Sequence, residues 1–562
     1  MCTRHDRDPL KMPNERRVQK PKSSLDPDPL PVRENIIAQN QIPTVWPEGI
    51  TEALGGVSRK ARNEHPETVV DLTALPFVTI DGKDARDFDD AVFCCRADNG
   101  FCLDVAIADV SRWVTRDGLL DGAARERGNS VYFPGHVVPM LPELLSNDLC
   151  SLNPGKVRFA LVCRMNISAR GKMQGYEFFE ARIRSAARLD YEGVSRFLRA
   201  ADDQAYDKLP AVRDSLVTLD AVTLRLLDQR RSAGGVTMEF PEAKICYDPK
   251  GRIRSIASTP RLEAARLIEE CMLAANVCAA ETLDKHLPQA IYRCHEAPDP
   301  ASVRTLGEVY GMFGVKIEGR GHPTGLSFSR ALESAKKRDA PLASLQMLML
   351  RCMKQAHYSP TRIPHFALGF KTYTHFTSPI RRYPDLIVHR LLKAVLSGAE
   401  LSSTVYEASE LGAIAEHCSH TERRAETAAR ELATWLKAEF MRRHVGKTFT
   451  GSVSGVTGFG VFVTLDDFPV EGMVHVSELG EHYYAFDERH LMLVARHSGE
   501  RITLGDSMTI RVAGVQLEEG KIDLTRVLNG GKARNSATGR KRKSGYRTGA
   551  NGRRRSNSRR QA

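Results

Sequence analysis

Five aspartates lie within ten residues of this chain, and four of them follow the spacing D-x5-D-x-D-D: Asp81, Asp87, Asp89 and Asp90. Carboxylates packed this closely repel one another, and a folded chain tolerates them when a hard divalent cation neutralises their charge. Mg²⁺ and Mn²⁺ prefer oxygen ligands of this kind. The spacing therefore predicts a one- or two-metal site for phosphoryl transfer, where metal ions activate a water molecule and stabilise charge on the leaving oxygen.

Two other interpretations of the acidic segment are weaker. A calcium loop of the EF-hand type needs a central glycine and a closing glutamate, and this segment has neither at the required offsets. A solvated acidic loop is the ordinary outcome for a run of charges. However, apolar, strand-like segments flank this one at 75–80 and 91–94. Because these segments press the loop against a core, we favour the metal site.

A second group of candidate residues surrounds two adjacent arginines, Arg381 and Arg382. Pro379 and Pro384 restrain the backbone on either side of them, and a helical pattern follows. Two arginines on a rigid loop offer bidentate donors for phosphate oxygens. The alternative is a purely structural pair of salt bridges. The spacing favours phosphate binding.

Two adjacent glutamates, Glu269 and Glu270, form a third candidate. They lie in the apolar helical stretch LIEECMLAANVCAA. Paired acids within such a helix are costly to bury unless they bind something. The alternative is that one of them faces solvent, and the sequence does not say which one.

The segments that position these residues have mixed α and β character. The sequence predicts strands at 77–80, 91–94, 103–107, 158–167 and 175–184, and helices at 211–229, 259–286, 344–356, 386–397 and 408–444. The helix at 259–286 places apolar residues at steps of three or four, which predicts one core-facing side. Residues 446–528 change to short alternating strands separated by glycine turns. Residues 1–34 are rich in proline and charge, and we expect disorder there.

Composition narrows the class of protein. The 562 residues are enough for one large domain and smaller modules, and 42% of them are hydrophobic. No run of about 18 apolar residues exists, so we expect no membrane span. The N-terminus lacks the apolar segment of a secretory signal, and we therefore expect a cytoplasmic protein. Twelve cysteines without a C-x-x-C pair indicate buried free thiols rather than zinc ligands or disulfides.

The formal net charge of +12 is concentrated at one end of the chain. Residues 529–562 hold twelve lysines or arginines and no acid, and without them basic and acidic residues are equal in number at 69. A segment of this composition is not expected to fold alone. We expect it to bind a phosphate backbone in a salt-dependent way, as in structured or ribosome-associated RNA. The alternative is a solubilising tail without a specific partner.

Several long motifs resemble one enzyme family. The stretch LPFVTIDGKDARDFDDAVFC is similar to the signature of the ribonuclease II/ribonuclease R (RNB) exoribonucleases, and of the ribonuclease R branch in particular. The stretch THFTSPIRRYPDLIVHRLL matches a second signature, and the matches together cover roughly residues 35 to 530. The family normally carries two cold-shock OB domains before its catalytic domain, and residues 1–34 are too few to form them. We therefore expect a chain without those domains, or a truncated family member.

The resemblance assigns roles to individual residues. It implies that Asp81, Asp87 and Asp90 ligate Mg²⁺, with Mn²⁺ as the alternative, and that Asp89 helps to place the attacking water. Arg381 matches the catalytic arginine, while Arg382 supports it or holds another phosphate.

The resemblance also implies contacts to the RNA. Tyr132, in RGNSVYFPGHVVPMLPELLSNDLCSL, matches the tyrosine that stacks on the 3′-terminal nucleotide. Tyr191, in ARLDYEGV, matches an aromatic residue associated with substrate discrimination, with helix packing as the alternative. An acidic residue near the terminal nucleotide corresponds to Glu269 or Glu270. His375 and His389 are as compatible with a structural role as with RNA contact.

Residues 446–528 look like an S1 RNA-binding domain, a five-stranded OB barrel. Its aromatic platform for stacking bases would comprise Phe459, Phe462, His475, Tyr483 and Tyr484. Some of these rings must lie in the core, and Phe462, within the segment Val-Phe-Val, is the one we expect there. We expect RNA contact from Phe459 and His475.

The predicted architecture is therefore α+β. A disordered segment at 1–34 precedes a mixed α/β RNB catalytic domain with its entry connector at 35–445, an S1-type OB barrel at 446–528 and a disordered basic tail at 529–562. The resemblance implies a monomeric, processive 3′→5′ exoribonuclease that degrades single-stranded RNA to nucleoside 5′-monophosphates; whether it also degrades structured RNA is left open. The alternatives are a catalytically silent RNA-binding protein of the same fold, and a metal-dependent nuclease of different polarity or substrate.

Overall fold

The computed structural model describes residues 29–63, 69–200, 206, 209–248, 252–319, 322–398 and 406–528. The predicted disordered tail at 529–562 and residues 1–28 lie outside this part of the chain. The prediction of disorder is wrong for residues 29–34, which form the first turns of a helix that ends at Gln39. Ile36 of this helix is buried in the core, and that packing holds the turns before it.

The elements alternate along the chain before the C-terminal region becomes all β. The α-helices of the described residues are α1 (Pro29–Gln39), α2 (Ile50–Asn63), α3 (Leu119–Arg127), α4 (Tyr191–Ala200), α5 (Pro210–Ser232), α6 (Glu263–His286), α7 (Pro300–Met312), α8 (Gly325–Lys337), α9 (Leu342–Cys352), α10 (Tyr383–Leu396) and α11 (Ala408–Arg442). The strands before α11 are β1 (Val70–Asp71), β2 (Val78–Asp81), β3 (Asp90–Ala97), β4 (Gly100–Ala108), β5 (Val131–Phe133), β6 (His136–Val138), β7 (Val157–Ser168), β8 (Met173–Arg184), β9 (Ala187–Asp190), β10 (Glu242–Tyr247), β11 (Ile253–Thr259), β12 (Tyr292–Cys294) and β13 (His357–Ser359). The strands after it are β14 (Thr448–Thr457), β15 (Gly460–Leu465), β16 (Glu471–His475), β17 (Tyr484–Asp487), β18 (Met492–Ala495), β19 (Arg501–Ile502), β20 (Ser507–Gln516) and β21 (Lys521–Arg526).

A seven-stranded mixed sheet forms the centre of the first region, in the order β1-β8-β7-β4-β3-β2-β9. Helix α5 packs against this sheet, where the Cys94 amide donates to Ser215 Oγ at 3.0 Å. Strands β2 and β9 are parallel, and their register sets Asp81 opposite Asp190. The acidic segment therefore leaves the sheet beside the start of α4.

The predicted elements are present with shifted ends. The helix predicted from residue 259 begins at Glu263, because Thr259 still belongs to strand β11. This helix is buried on more than one side, since Leu273 and Ala280 are buried as well as Ala275 and Ala279 on the other side of the helix. The single core-facing side predicted for it is therefore too narrow.

The C-terminal region is a closed barrel in the strand order β14-β15-β16-β21-β20. Helix α11 is 35 residues long and joins the first region to the barrel. Gly520 lies so close to α11 that a Cβ there would meet Thr434 Cγ2 at 2.6 Å. The Ser344 hydroxyl on α9 also donates to the Val453 carbonyl at 3.3 Å. None of the helices in the described ranges combines the length and hydropathy needed to cross a bilayer.

Candidate active site

The acidic loop, residues 82–89, connects β2 to β3 and is held to the fold on two sides. Arg188 on β9 donates to the Ala85 carbonyl at 3.1 Å and also to the Lys83 carbonyl, and its guanidinium lies 5.1 Å from the centre of the Phe88 ring. On the other side, the Phe88 amide donates to Ser151 Oγ at 3.0 Å. The backbone that carries the aspartates is therefore fixed by the surrounding structure.

Asp89 connects this loop to the arginine loop, residues 378–382. Its Oδ1 accepts a hydrogen bond from the Ile380 amide at 2.8 Å, and its Oδ2 accepts one from Arg381 Nε at 3.2 Å. Arg381 Nη2 donates to Ser378 Oγ at 2.7 Å. The structure thus brings the two strongest sequence motifs into direct contact, although they lie almost 300 residues apart.

A short backbone ladder sets Tyr132 beside the same loop. The Ser130 amide donates to the Arg381 carbonyl at 3.0 Å, and the Tyr383 amide donates to the Gly128 carbonyl at 2.9 Å. Strand β5 follows directly and carries Tyr132, whose hydroxyl donates to Asp87 Oδ2 at 2.8 Å. The Tyr132 side of β5 faces outward, with 44% of the residue exposed. Its ring is therefore available for contact next to the carboxylates.

Burial and mutual repulsion disfavour charge on the aspartates. Burial raises the pKa of Asp89 to about 7, and the Arg381 guanidinium opposes this shift. Burial also raises the pKa of Asp81 to about 6, and the charge of Asp87 adds to this rise. Burial raises the pKa of Asp90 as well, and the charges of Asp81 and Asp89 raise it further. Carboxylates in this state gain most from a nearby cation, because a cation restores their charged form.

The donor set suits a divalent metal ion. Asp81 Oδ2 is buried, and it has no hydrogen-bond partner among the described residues. Oxygen-only carboxylate donors are the ligands that Mg²⁺ and Mn²⁺ prefer. In the conformation described, no three His, Cys, Asp or Glu side chains of the described residues already surround one ion position, since Asp87 is held by Tyr132 and Asp89 by the arginine loop. The residues therefore fit a metal in chemistry, and shared ligation requires their side chains to turn.

Tyr191 begins α4 at the edge of a cavity of about 730 Å³ beside the acidic loop. Burial raises the pKa of its hydroxyl, and the charges of Asp81 and Asp90 raise it further. Phe240 and Arg261 line the same cavity. The structure thus places Tyr191 near the carboxylates and adds Phe240, an aromatic ring that no sequence motif indicated. The role of Tyr191 in substrate discrimination stays a prediction.

The two glutamates of α6 differ in their surroundings. Arg230 encloses Glu270 in a buried ion pair, with Nε donating to both carboxylate oxygens at 3.1 Å. Glu269 instead pairs with Arg261, which lines the cavity beside Tyr191. The predicted substrate contact of Glu270 is therefore wrong, because its carboxylate is satisfied inside the core. Glu269 remains the candidate.

Arg382 does not point toward the carboxylates. Its Nη2 donates to Asp385 Oδ1 at 2.8 Å, and the same oxygen accepts a hydrogen bond from the Ser378 amide at 2.8 Å. Because Asp385 is fully buried, this pair supports the arginine loop from within. Of the two roles predicted for Arg382, these contacts favour support of Arg381 over a phosphate contact of its own. His375 and His389 are likewise enclosed by protein, which explains why their pKa values are lowered.

Sequence reasoning overlooked three supporting residues. Ser378 and Asp385 both lie within the second signature, THFTSPIRRYPDL, where their positions beside the arginines were the available signal. Arg188 lies three residues before Tyr191 in ARLDYEGV. Only the pairing of β9 with β2 reveals that Arg188 reaches the acidic loop.

The aromatic residues of the barrel divide between its surface and its core. Phe459 is 53% exposed, and His475 is exposed at the end of β16 with its Nδ1 accepting from the Ser477 amide at 3.3 Å. Phe462 is only half-buried and lies 6.3 Å from the Phe459 ring. The prediction that Phe462 is a core residue is wrong, because strand alternation buries its neighbours Val461 and Val463 instead.

The two neighbouring tyrosines also separate. Tyr483 is 64% exposed, whereas Tyr484 is buried and donates from its hydroxyl to Glu500 Oε2 at 2.7 Å. The prediction of a stacking role is therefore wrong for Tyr484. Phe459, Phe462 and His475 line one cavity of about 770 Å³.

Comparisons with known proteins match both regions. Residues 69–398 match the RNB domain, and residues 443–526 match the S1 RNA binding domain. The chain is 42% identical over 496 residues to ribonuclease R of Escherichia coli, which covers 86% of this chain and 61% of that protein. It is 37% identical over 523 residues to ribonuclease R of Thermotoga maritima, covering 91% of this chain and 72% of the relative.

A solved structure shows the same fold. Mycoplasma genitalium RNase R, in complex with ribose-methylated single-stranded RNA, is 29% identical and superposes with a TM-score of 0.83, covering 89% of this chain and 78% of that one. The chain spans less than two thirds of the length of the first curated relatives.

Proposed function

The chain belongs to the RNB-domain family, and from this premise we propose that it is a metal-dependent 3′→5′ exoribonuclease. It hydrolyses single-stranded RNA to nucleoside 5′-monophosphates. The observation that carries the proposal is the pair of hydrogen bonds from the arginine loop to Asp89. These bonds hold a phosphate-binding arginine at the edge of a carboxylate cluster, which is the arrangement that phosphodiester hydrolysis requires.

Asp81, Asp87 and Asp90 hold the divalent ion in this proposal. When bound, Mg²⁺ or Mn²⁺ supplies an activated water and neutralises charge at the phosphate. Asp87 would hold the ion in place of its hydrogen bond from the Tyr132 hydroxyl, which would leave the Tyr132 ring to contact the RNA. Water then adds to phosphorus and the bridging 3′ oxygen leaves with a proton, so that the products are a nucleoside 5′-monophosphate and an RNA shortened by one nucleotide.

Arg381 stabilises the negative charge that develops on the scissile phosphate. Asp89 supports this role because it accepts from Arg381 Nε and thereby leaves the terminal nitrogens to other acceptors. Ser378 restrains one of these nitrogens. The part of Asp89 in placing the attacking water stays a prediction, since it requires one oxygen to leave the arginine loop.

Aromatic contacts position the RNA. The exposed Tyr132 ring stacks on the 3′-terminal nucleotide, and Tyr191 lines the cavity on the other side of the acidic loop, where Arg261 pairs with Glu269. A hydrogen bond to the 2′-hydroxyl distinguishes RNA from DNA. Phe459 and His475 of the barrel hold the strand farther from its 3′ end. The basic tail, a monomeric state and the cytoplasmic location stay predictions from the sequence.

A cleavage time course tests the proposal. A 5′-labelled, single-stranded RNA of about 30 nucleotides is incubated with Mg²⁺ and wild type, Asp90→Asn or Asp98→Asn, with an EDTA control. Asp98 is a matched control because it is exposed at the turn between β3 and β4, away from the acidic loop. We expect shortened RNA and mononucleotides from wild type and Asp98→Asn, and intact RNA from Asp90→Asn and from EDTA.

Two results separate the alternatives. A wild type that binds the RNA and never shortens it indicates a silent RNA-binding protein. The presence of all four motif aspartates and of Arg381 argues against that alternative. Cleavage of a DNA oligonucleotide of the same sequence, or internal fragments from the RNA, indicates a nuclease of another class.

A further inference from the structure

The cavity of about 770 Å³ at the barrel has two walls that come from different regions. The barrel supplies Phe459, Phe462 and His475, while α11 of the first region supplies Thr434 and Lys437. Its volume falls within the range of about 300–1,000 Å³ that is typical of small-molecule sites. The exposed aromatic face of the barrel is therefore one side of a cleft rather than an open surface.

The two walls are fixed relative to each other. Gly520, in the turn between β20 and β21, has a positive φ of 61°, and a Cβ there would meet Thr434 Cγ2 at 2.6 Å. This close approach holds α11 against the barrel at the rim of the cleft. A ligand in the cleft therefore meets groups from both walls at the same time.

Lys437 is the unusual group in this cleft. It is half-buried, and among the described residues no ion pair or hydrogen bond is found for its ammonium. Burial lowers its pKa, and Glu471 opposes this only in part. A partly desolvated ammonium without a partner is costly, so this position gains from an anionic ligand.

The other charged groups that line the cleft already have partners. Ser454 Oγ donates to Glu471 Oε2 at 2.5 Å, and Gln516 Nε2 donates to Asp523 Oδ2 at 2.8 Å. Lys521 forms an ion pair with Glu519. Glu471 and Asp523 keep their negative charge, because their partners Ser454 and Gln516 are neutral, whereas Lys437 is a cation of the cleft without a hydrogen-bond partner among the described residues.

We propose that this cleft binds one nucleotide of a single-stranded RNA, with Lys437 holding its phosphate while Phe459 and Phe462 contact its base. A base and a phosphate in one ligand match the paired aromatic and cationic groups. The inference rests on the proposed function because it takes RNA as the ligand. It goes beyond it in making α11 of the first region a part of the RNA site of the barrel. RNA bound in the cleft contacts both α11 of the first region and the barrel.

Binding measured without cleavage tests this inference. Fluorescence anisotropy of a labelled 20-nucleotide single-stranded RNA is recorded in EDTA at several salt concentrations, with the full chain. We expect Lys437→Gln to weaken binding about tenfold, as for the loss of a hydrogen bond to a charged group. The slope of log K against log salt should fall by about 0.7, which is the value for one phosphate contact on a single strand.

Three further variants complete the test. Lys447→Gln removes an exposed charge near the same barrel but outside the cleft, and it should change binding less than twofold. Lys437→Arg keeps the charge and should restore both affinity and slope. Phe459→Leu combined with Lys437→Gln should weaken binding by less than the product of the single effects, because both groups hold one nucleotide.

The outcomes separate this inference from the proposed nuclease activity. Equal binding by Lys437→Gln and Lys447→Gln, or an unchanged salt slope, overturns the role of Lys437 even if the wild type degrades RNA. A wild type that fails to shorten RNA, but loses affinity on Lys437→Gln, refutes the nuclease and supports the cleft.

Discussion

The acidic site and the barrel cleft, the two sites for which we propose RNA contact, differ in their chemistry. The acidic site gathers carboxylates whose pKa values are raised by burial, and it lies at contacts between segments about 290 residues apart. The barrel cleft presents two phenylalanines and one unpaired lysine, and one helix and one barrel form it. The first site concentrates carboxylates, and the second combines aromatic rings with a lysine.

This difference predicts that the acidic site determines the cleavage rate and that the barrel cleft determines the affinity for RNA. In the proposed function the clustered carboxylates act at the scissile phosphate alone. Substitutions there should therefore change the rate of cleavage. Stacking rings and a single ammonium accept any nucleotide, so substitutions there should change affinity. Each of the following predictions tests this separation.

The largest expected effect is at Arg381. Arg381→Ala should lower the cleavage rate at saturating RNA by about 10²–10³-fold, the usual cost of removing a donor to developing charge. Affinity for RNA in EDTA should change little. Single-turnover kinetics and anisotropy measure the two quantities. Arg330→Ala on α8, which removes an exposed ion pair with Glu318, should leave both unchanged, and a loss of affinity without a loss of rate at Arg381 would contradict the separation.

Asp385, which supports the arginine loop from within the core, should contribute to the free energy of unfolding. Asp385→Ala leaves the Arg382 guanidinium and the Ser378 amide without their buried acceptor. Breaking a buried ion pair in this way typically costs about 3–5 kcal/mol in the free energy of unfolding. Urea denaturation measures the loss. Asp385→Asn retains an oxygen for Ser378 and should lose less, whereas equal losses would show that the charge pair alone matters.

The barrel should show the reverse pattern. Phe459→Leu should weaken RNA affinity by about 1–3 kcal/mol, the contribution of one stacked base. The cleavage rate at saturating RNA should stay near that of wild type. Phe468→Leu is a matched control, because Phe468 packs 5.0 Å from the Phe440 ring and does not line the cleft. Equal losses of affinity in the two variants would place the effect in barrel stability rather than in stacking.

Acid should destabilise the first region through its enclosed histidines. Burial lowers the pKa of His389 to about 4 and that of His365 to about 3, from 6.5 in both cases. Between these values and pH 6.5 the unfolded chain binds protons that the folded chain does not. The part of the stability that depends on these histidines is therefore complete above pH 6.5 and falls as the pH decreases, by up to about 1.4 kcal/mol per pH unit for each histidine, while the raised pKa values of Asp81, Asp89 and Asp90 act in the opposite direction.

Urea denaturation between pH 7 and pH 5 checks this slope. His389→Phe removes one titrating group and also loses the hydrogen bond from His389 to the Phe376 carbonyl, so it should be less stable than wild type at pH 7, and the difference between the two should narrow as the pH falls. A variant whose slope equals that of wild type would show that His389 does not contribute.

The sequence predicted those features that depend on short spacing. The aspartates of the acidic loop, the flanking strands and the rigid arginine loop were all visible in local patterns. Their partners were not. That Asp89 contacts Arg381, that Glu270 rather than Glu269 is enclosed, and that Arg382 turns inward to Asp385 all depend on distant segments.

The alternation of side chains along a strand explains why the predictions for Phe462 and Tyr484 in the barrel were wrong. Phe462 lies between two valines, and hydrophobicity alone cannot tell which of the three points inward. The strand register buries both valines, so the phenylalanine faces the cleft. Tyr483 and Tyr484 separate for the same reason, because adjacent side chains of an extended chain point to opposite sides.

The contact between Asp89 and Arg381 has a consequence for the timing of folding. Its two residues are 292 positions apart, and the intervening chain must be synthesised before they can meet. During synthesis the acidic loop emerges early, without the arginine that opposes its charge. Contacts of such long range form late and slowly. A nascent chain therefore remains without a complete site until most of the first region has left the ribosome, and premature termination before Arg381 leaves the acidic loop without its partner.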